Sequence, residues 1–327
     1  MSRVIEVRTP GRLHFGLSSF GGAGRQFSGV GLMVDGSGVT LRLSCADSFR
    51  ARGLHSQRVQ KFADHLAREQ QLTQLPRCAI EVTSSPPNHV GLGIGTQLGM
   101  AVAAALLQYQ GTSWRDPQLL RRLSGRGRRS AIGTYGFVHG GLLVDRGKLP
   151  HETLGELAER VDVPTEWRFV LIRQPTAEGL CGNAESAAIS SLPPVPASIT
   201  AELQSIVAHR LLPAVADHNF EAFSAAVYDY GYQAGECFAS AQGGPFASSE
   251  IARLVEEVRS LGFAGTGQSS WGPTVFAVTP DQQTAEELVE ALRDQGPYDT
   301  CDFAITQGNN TGAIVEETSL DACGQPD

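Results

Sequence analysis

The sequence predicts an α+β protein built from two domains, and three observations carry that expectation. The chain has 327 residues, about twice the usual size of one domain. Its first part alternates apolar and polar residues with the period of a half-buried strand. Its second half interleaves helical spacing with short apolar runs that read as strands. Apolar residues make up 41% of the chain and charged residues 18%, which suits a packed core and excludes a disordered or fibrous chain.

Taken in order, VIEVRT (residues 4–9), VTLRLS (39–44) and AIEVT (79–83) are strand candidates. Between the last two, Val59, Phe62, Ala63 and Leu66 recur at helical spacing. Pro86-Pro87 and a glycine-rich turn then lead into an alanine-rich helix over 97–108. A second helix over 116–123 runs into RRLSGRGRRS, and GGLLVDRG (140–147) reads as a strand with its turn. Near Val163-Pro164 the pattern resets, so the domains are placed at 1–163 and 164–327. WRFVLIRQP (167–175) is a buried-type strand, followed by the proline-rich SLPPVPAS. Helices are expected over 199–212, 219–240 and 249–261, then strands over 274–278 and 301–306 flanking a helix over 281–295. SLDACGQPD at the end reads as a frayed tail.

Charge and composition exclude several functions. The net charge of −8 argues against nucleic acid or an anionic membrane surface as a partner. The longest apolar run, residues 100–107, falls far short of a membrane span, and MSRVIEVRTPGR has no signal-like stretch. A cytoplasmic protein is expected. The six cysteines are scattered without metal-ligand spacing, which argues against a disulfide framework or structural zinc. Lys61 and Lys148 are the only lysines, and neither follows a glycine-rich loop, so the G-x-x-x-x-G-K-[ST] phosphate loop is absent. Any grip on phosphate falls to arginine and backbone N–H groups.

Four segments carry candidate chemistry. In HVGLGIGTQLG, Gly91, Gly93 and Gly95 let the backbone approach a ligand closely, and Thr96-Gln97 open a helix whose N-terminus favours an anion. Gly91, Leu92, Gly93, Gly95, Thr96 and Gln97 are therefore read as a phosphate or pyrophosphate cradle; the plain alternative is a tight strand-to-helix turn. In GRLHFGL, Arg12 and His14 share one face of an extended strand; a surface arginine and a satisfied core histidine are the plain alternative for each taken singly. Arg25 follows within a glycine-rich loop, where it could close over an anion. In RRLSGRGRRSAIGTYG, five arginines fall within nine positions; Arg126 and Arg129 are candidates to turn inward, with Thr134 and Tyr135 close behind. In GTGQSSWGPT, a polar glycine turn places Ser269, Ser270 and Trp271 as candidate cleft residues, although a plain β-turn also accounts for the glycines.

Together, and in this order, these motifs resemble the GHMP kinase superfamily. PGRLHFG is similar to its first motif, HVGLGIGTQLGMAVA to its phosphate loop and GTGQSSWGPTVFAV to its third motif. RLHFGL, GLGIGTQ, GRGRRSAIGT, GGLLVD and GQSSWGPT resemble more closely a non-kinase branch, the β-ribofuranosylaminobenzene 5′-phosphate synthase family. The resemblance implies a ribosomal-protein-like N-terminal domain, a ferredoxin-like C-terminal domain and a site between them. Two departures stand against kinase activity. Gly95-Thr96-Gln97 follow Ile94 where kinases carry Gly-Ser-Ser-Ala, and Ile132-Gly133-Thr134 stand where many carry an acid. One departure concerns the synthases: Ser18-Ser19-Phe20 stand where an acid is expected.

The activity implied is condensation of phosphoribosyl pyrophosphate with para-aminobenzoate or para-hydroxybenzoate, releasing pyrophosphate and carbon dioxide, in tetrahydromethanopterin synthesis. An ATP-dependent small-molecule kinase is the alternative, and a catalytically silent ligand-binding protein a third reading. The resemblance implies catalytic roles for Arg25, His14 and Arg12. It leaves Arg126 or Arg129 to hold the ribose phosphate or the benzoate carboxylate, and Trp271 or Tyr135 to stack on the ring. Magnesium is expected with the pyrophosphate, with Glu178, Glu185 and Asp145 as candidate ligands. A homodimer is expected by analogy.

Overall fold

The computed structural model describes residues 2–175 and 189–320. The candidate metal ligands Glu178 and Glu185 lie outside these described residues. The described residues form three sheets. In the first half, the strands are β1 (Ser2–Arg8), β2 (Gly11–Leu17), β3 (Gly29–Val34), β4 (Thr40–Cys45), β5 (Arg50–Gly53), β6 (Cys78–Ser84), β7 (Leu142–Asp145) and β8 (Leu157–Val161). Helices α1 (Ser56–Glu69), α2 (Ile94–Tyr109), α3 (Pro117–Ser124) and α4 (Ile132–His139) accompany them. The second half holds β9 (Arg168–Arg173), α5 (Ala197–Ile206), α6 (Phe220–Glu236), α7 (Ser249–Ser260), β10 (Thr266–Gln268), β11 (Val275–Thr279), α8 (Gln282–Asp294), β12 (Asp302–Gln307) and β13 (Ile314–Leu320).

Local chemistry explains the helices around the site. α1 buries Val59, Ala63 and Leu66 and turns a polar face outward, the amphipathic pattern expected of it. α3 starts where the Asp116 side chain accepts from the Gln118 N–H, has Pro117 in its first turn, and stops at Gly125 in the left-handed region. α2 begins three residues before the expected Gln97, because Gly93 adopts a left-handed conformation (φ 71°) that turns the chain into the helix. It is buried on nearly every side from Gln97 to Leu107, so it reads as an apolar run rather than a stripe.

Sheet one has the order β13-β1-β4-β6-β5, and sheet two the order β2-β3-β7-β8. The expected division at residue 163 falls between β8 and β9, yet β13 returns to pair antiparallel with β1 over Ser2–Arg8. Ion pairs from Arg3 to Glu317 and from Arg8 to Glu316 cross that pairing. The third sheet, β10-β11-β9-β12, carries α7 and α8 packed on it through Val170, Ile172, Leu254, Val258, Leu288 and Leu292. Its strands lie in the spatial order fourth, first, third, second, the split βαβ arrangement of a ferredoxin-like domain. α6 packs its Ala234 against Gly16 of β2, and the Tyr230 hydroxyl donates to the Gly16 carbonyl at 3.2 Å. No helix among the described residues is long and apolar enough to cross a membrane.

Candidate active site

A cavity of about 820 Å³ opens between β2, α1, the loop before α2, the segment 124–130 and the α6 region. Its two sides differ in chemistry. Arg12, Arg58, Lys61, Arg126, Arg128 and Arg129 make one side cationic. Phe15, Leu17, Phe27, Phe238, Phe246 and Trp271 make the other largely aromatic. Among the described lining residues there is no carboxylate.

The glycine loop between these sides is built by close approach. Gly91 has a φ of 86°, and a Cβ there would lie 2.4 Å from the Ser269 carbonyl oxygen. The backbone of Gly272 also presses on Gly91. Ser269 Oγ donates to the Gly91 carbonyl at 2.8 Å, and Thr274 Oγ1 donates to the Val90 carbonyl. From the other side, the Arg12 N–H donates to the Leu92 carbonyl at 3.0 Å. The loop is thus strapped between β2 and the β10–β11 turn. Where α2 begins, the N–H groups of Thr96 and Gln97 turn back to the Gly93 carbonyl. Those of Ile94 and Gly95 have no partner within the helix, as at any helix N-terminus, and make an anion-binding end.

Three guanidiniums converge on that end. A Cβ on Gly93 would meet Arg12 Nε at 3.2 Å. On Gly95 it would meet Arg58 Nη2 at 2.6 Å and Arg126 Nη2 at 3.5 Å. The glycines therefore admit arginine side chains to the first turn of α2 and bring their charges to the positive pole of the helix. This combination fits a polyanion better than a single carboxylate.

His14 lines the cavity as a buried histidine with both ring nitrogens hydrogen-bonded. Its Nδ1 accepts from the Gly16 N–H at 3.2 Å, which leaves the proton on Nε2. That N–H donates to Ser130 Oγ at 3.1 Å, and Ser130 donates to Asp145 Oδ2 at 3.3 Å. Burial, with Arg12 nearby, holds the ring well below the usual histidine range, so it is neutral. With both nitrogens engaged, His14 ties β2 to the arginine segment and offers no hydrogen bond to a ligand. Asp145 anchors the same segment, accepting from the Ala131 N–H at 2.5 Å and the Gly147 N–H at 2.7 Å. Burial pushes its carboxyl up to about 6.

Several expected site residues lie elsewhere. Arg25 does not line the cavity: it pairs with Glu152 at 2.8 Å and Glu156 at 2.9 Å and donates to the Gly147 carbonyl, docking its loop onto the β7–β8 turn. Gln97 is buried under the loop, with Nε2 donating to the Gly133 carbonyl at 3.1 Å. Thr134 is buried beneath Gly127, and the Tyr135 hydroxyl donates to the Gly155 carbonyl on the far side of α4. Ser269 is the strut described above, whereas Ser270 and Trp271 do line the cavity. Trp271 meets Phe238 edge-on, with ring centroids 5.2 Å apart. Leu92, Thr96, Arg126 and Arg129 line it as well. Asp145 is filled by protein donors, and among the described residues no group of three or more His, Cys, Asp or Glu side chains is placed to hold a metal. Glu178 and Glu185, the other two candidate ligands, lie outside the described residues.

Residues 57–141 match the GHMP kinases N terminal domain, and residues 211–297 match GHMP kinases C terminal. The chain belongs to the GHMP kinase superfamily. Within it, the chain is 28% identical over 338 aligned residues to Beta-ribofuranosylphenol 5'-phosphate synthase of Archaeoglobus fulgidus, covering 96% of this chain and 100% of that protein. The protein of the same name from Methanothermobacter thermautotrophicus is 27% identical over 348 aligned residues, covering 95% and 99%. Among solved structures, homoserine kinase from Cytophaga hutchinsonii superposes with a TM-score of 0.67 at 16% identity, covering 96% of this chain and 97% of that one. Mevalonate diphosphate decarboxylase from Staphylococcus aureus superposes with a TM-score of 0.65 at 14% identity, covering 97% and 98%. Such identities establish the fold.

Sequence reasoning missed Arg58, Lys61 and Phe238. The first two lie on the polar face of α1 and read there as ordinary solvated residues. Their one visible signal is the pairing of Lys61 with an arginine three positions earlier.

Two variants test this geometry. Gly95→Ala places a methyl group where Arg58 and Arg126 meet, at a helical position that favours alanine by up to ~1 kcal/mol. Tm is expected to hold or rise while pyrophosphate binding, read by calorimetry, weakens about tenfold. Arg25→Ala should leave that binding unchanged. For Asp145, the unfolded carboxyl loses its proton near 3.8 and the folded one near 6. The stability it contributes is present below the first value and lost as pH rises through the second. Asp145→Asn is expected to flatten that pH dependence in urea unfolding, and to cost about 1–3 kcal/mol through an unpaired backbone N–H.

Proposed function

We propose that the chain is a decarboxylating phosphoribosyltransferase that joins phosphoribosyl pyrophosphate to a para-substituted benzoate. The observation that carries this reading is the convergence of Arg12, Arg58 and Arg126 on the N-terminus of α2, across the cavity from an aromatic wall. A diphosphate suits the first side and a flat ring the second. Para-hydroxybenzoate is the acceptor whose decarboxylated product corresponds to the ribofuranosylphenol in the relatives' printed name; para-aminobenzoate is the other candidate.

In this reaction the ring carbon bearing the carboxylate attacks the anomeric carbon. The bond to pyrophosphate breaks with its electron pair going to the leaving oxygen. The resulting cationic ring then loses carbon dioxide, and the electrons of the broken C–C bond restore its aromaticity. The chain's part is to bind and position. The Ile94 and Gly95 N–H groups with Arg12 and Arg126 stabilise the charge that grows on the leaving oxygen. Trp271, Phe238 and Phe15 hold the acceptor ring in surroundings that favour loss of a charged carboxylate. His14 and Ser130 move no proton in this scheme; they hold the arginine segment in place. Magnesium is proposed to arrive bound to the pyrophosphate. Tetrahydromethanopterin synthesis is the proposed setting.

Incubation with magnesium, phosphoribosyl pyrophosphate and carboxyl-labelled hydroxybenzoate is expected to release labelled carbon dioxide without ATP. Arg12→Ala should lower kcat/KM for the donor by about 10²–10³. ADP formation with an alcohol acceptor, and no labelled carbon dioxide from either benzoate, would replace this reading with a kinase.

A further inference from the structure

The cationic side of the cavity extends beyond the glycine loop along α1. Arg58 and Lys61, one turn apart, both line it, and His65 continues the same face one turn further on. From Arg58 to His65 this face runs about 10 Å. It lies opposite Arg126, because Arg126 and Phe62 both pack over Gly99, where a Cβ would meet them at 2.9 and 3.0 Å. The Nε2 N–H of His65 donates to the Arg122 carbonyl at 2.9 Å, which fixes α1 against the end of α3 and the start of the arginine segment.

Arg58 is also held by a directed chain of neutral groups. Its Nη1 donates to Asn88 Oδ1, and Asn88 Nδ2 donates to His55 Nδ1 at 3.4 Å. His55 Nε2 donates to Ser85 Oγ at 3.0 Å, and Ser85 donates to the Pro86 carbonyl at 2.8 Å. Each donor in the chain meets an acceptor, so the hydroxyl and imidazole orientations are fixed. Burial and the Arg58 charge lower the His55 pKa, which keeps the ring neutral. This arrangement orients the guanidinium, which lines the cavity.

We infer that Arg58 and Lys61 on α1, facing Arg126, form a second anion-binding position that takes the monophosphate of a ligand whose diphosphate lies on the glycine loop. The inference rests on the phosphoribosyl pyrophosphate reading, in which that group is the 5′-phosphate of the ribose. Arg58 lies between the two positions, Lys61 belongs to the second, and Arg12, packed on Gly93, belongs to the first. The aromatic acceptor keeps the opposite wall. The donor is then held at both ends, which orients its anomeric carbon toward that wall.

Calorimetry on the full chain separates the two positions, with ribose 5-phosphate and inorganic pyrophosphate as probes. Lys61 is exposed, so Lys61→Gln is expected to fold normally. It should weaken ribose 5-phosphate about tenfold and pyrophosphate by less than about twofold. Arg12→Gln should do the reverse. Arg58→Gln, a second variant, should weaken ribose 5-phosphate as well. Wild-type protein that binds ribose 5-phosphate and releases carbon dioxide, while Lys61→Gln and Arg58→Gln bind it unchanged, would overturn the second position and leave the proposed function standing. Equal losses for both probes in Lys61→Gln would overturn it too, since the residue would then act only through a general field. Wild-type protein that binds neither probe would overturn the donor reading and this inference together.

Discussion

The structure concentrates like charge at the positive pole of a helix. Arg58 and Arg126 reach the first turn of α2 with terminal nitrogens no more than about 6 Å apart. Arg12 approaches the same turn across Gly93, and the helix dipole adds its own positive end. A polyanion complements this concentration of positive charge better than a ligand with a single negative charge does.

Much of the fold serves to hold that arrangement. β2 brings Arg12 to the loop and fixes it through the Leu92 carbonyl. The β10–β11 turn of the ferredoxin-like domain presses Gly272 on Gly91 and ties the loop with Ser269 and Thr274, so the second domain helps to shape the glycine loop. Ser270 keeps a left-handed backbone (φ 57°) there, a conformation that costs a non-glycine residue about 1 kcal/mol or more, while its N–H donates to the His14 carbonyl. Behind Arg126 and Arg129, Asp145 and His14 converge on Ser130 and fix the end of the segment that carries both arginines. Polar groups that look catalytic in the sequence thus hold backbone segments together through their hydrogen bonds.

The sequence shows elements whose signals are local and hides those that depend on distant partners. The start and stop of α3 are legible in Asp116, Pro117 and Gly125, and the anion-binding character of the loop is legible in its three alternate glycines. α4 is not, because Gly133 and Gly136 weaken any helical pattern; Gly136 lies where a Cβ would clash with Met33 at 2.2 Å. β3 is hidden in a glycine-rich stretch, although it is buried throughout. β13 follows a turn and joins a sheet that begins at the other end of the chain. Arg25 misled for the same reason: its partners Glu152 and Glu156 are remote in sequence, and only the fold shows that its charge is taken up there. Arg58 and Lys61 carry no pattern that distinguishes them from solvated helix residues until α1 is laid across α2.

The most direct test is a crystal structure with phosphoribosyl pyrophosphate bound. The diphosphate is expected to lie over Gly93–Thr96, within hydrogen-bonding distance of the Ile94 and Gly95 N–H groups and of the Arg12 and Arg126 guanidiniums. A diphosphate lodged against the aromatic wall, or outside the cavity altogether, would contradict the proposed site.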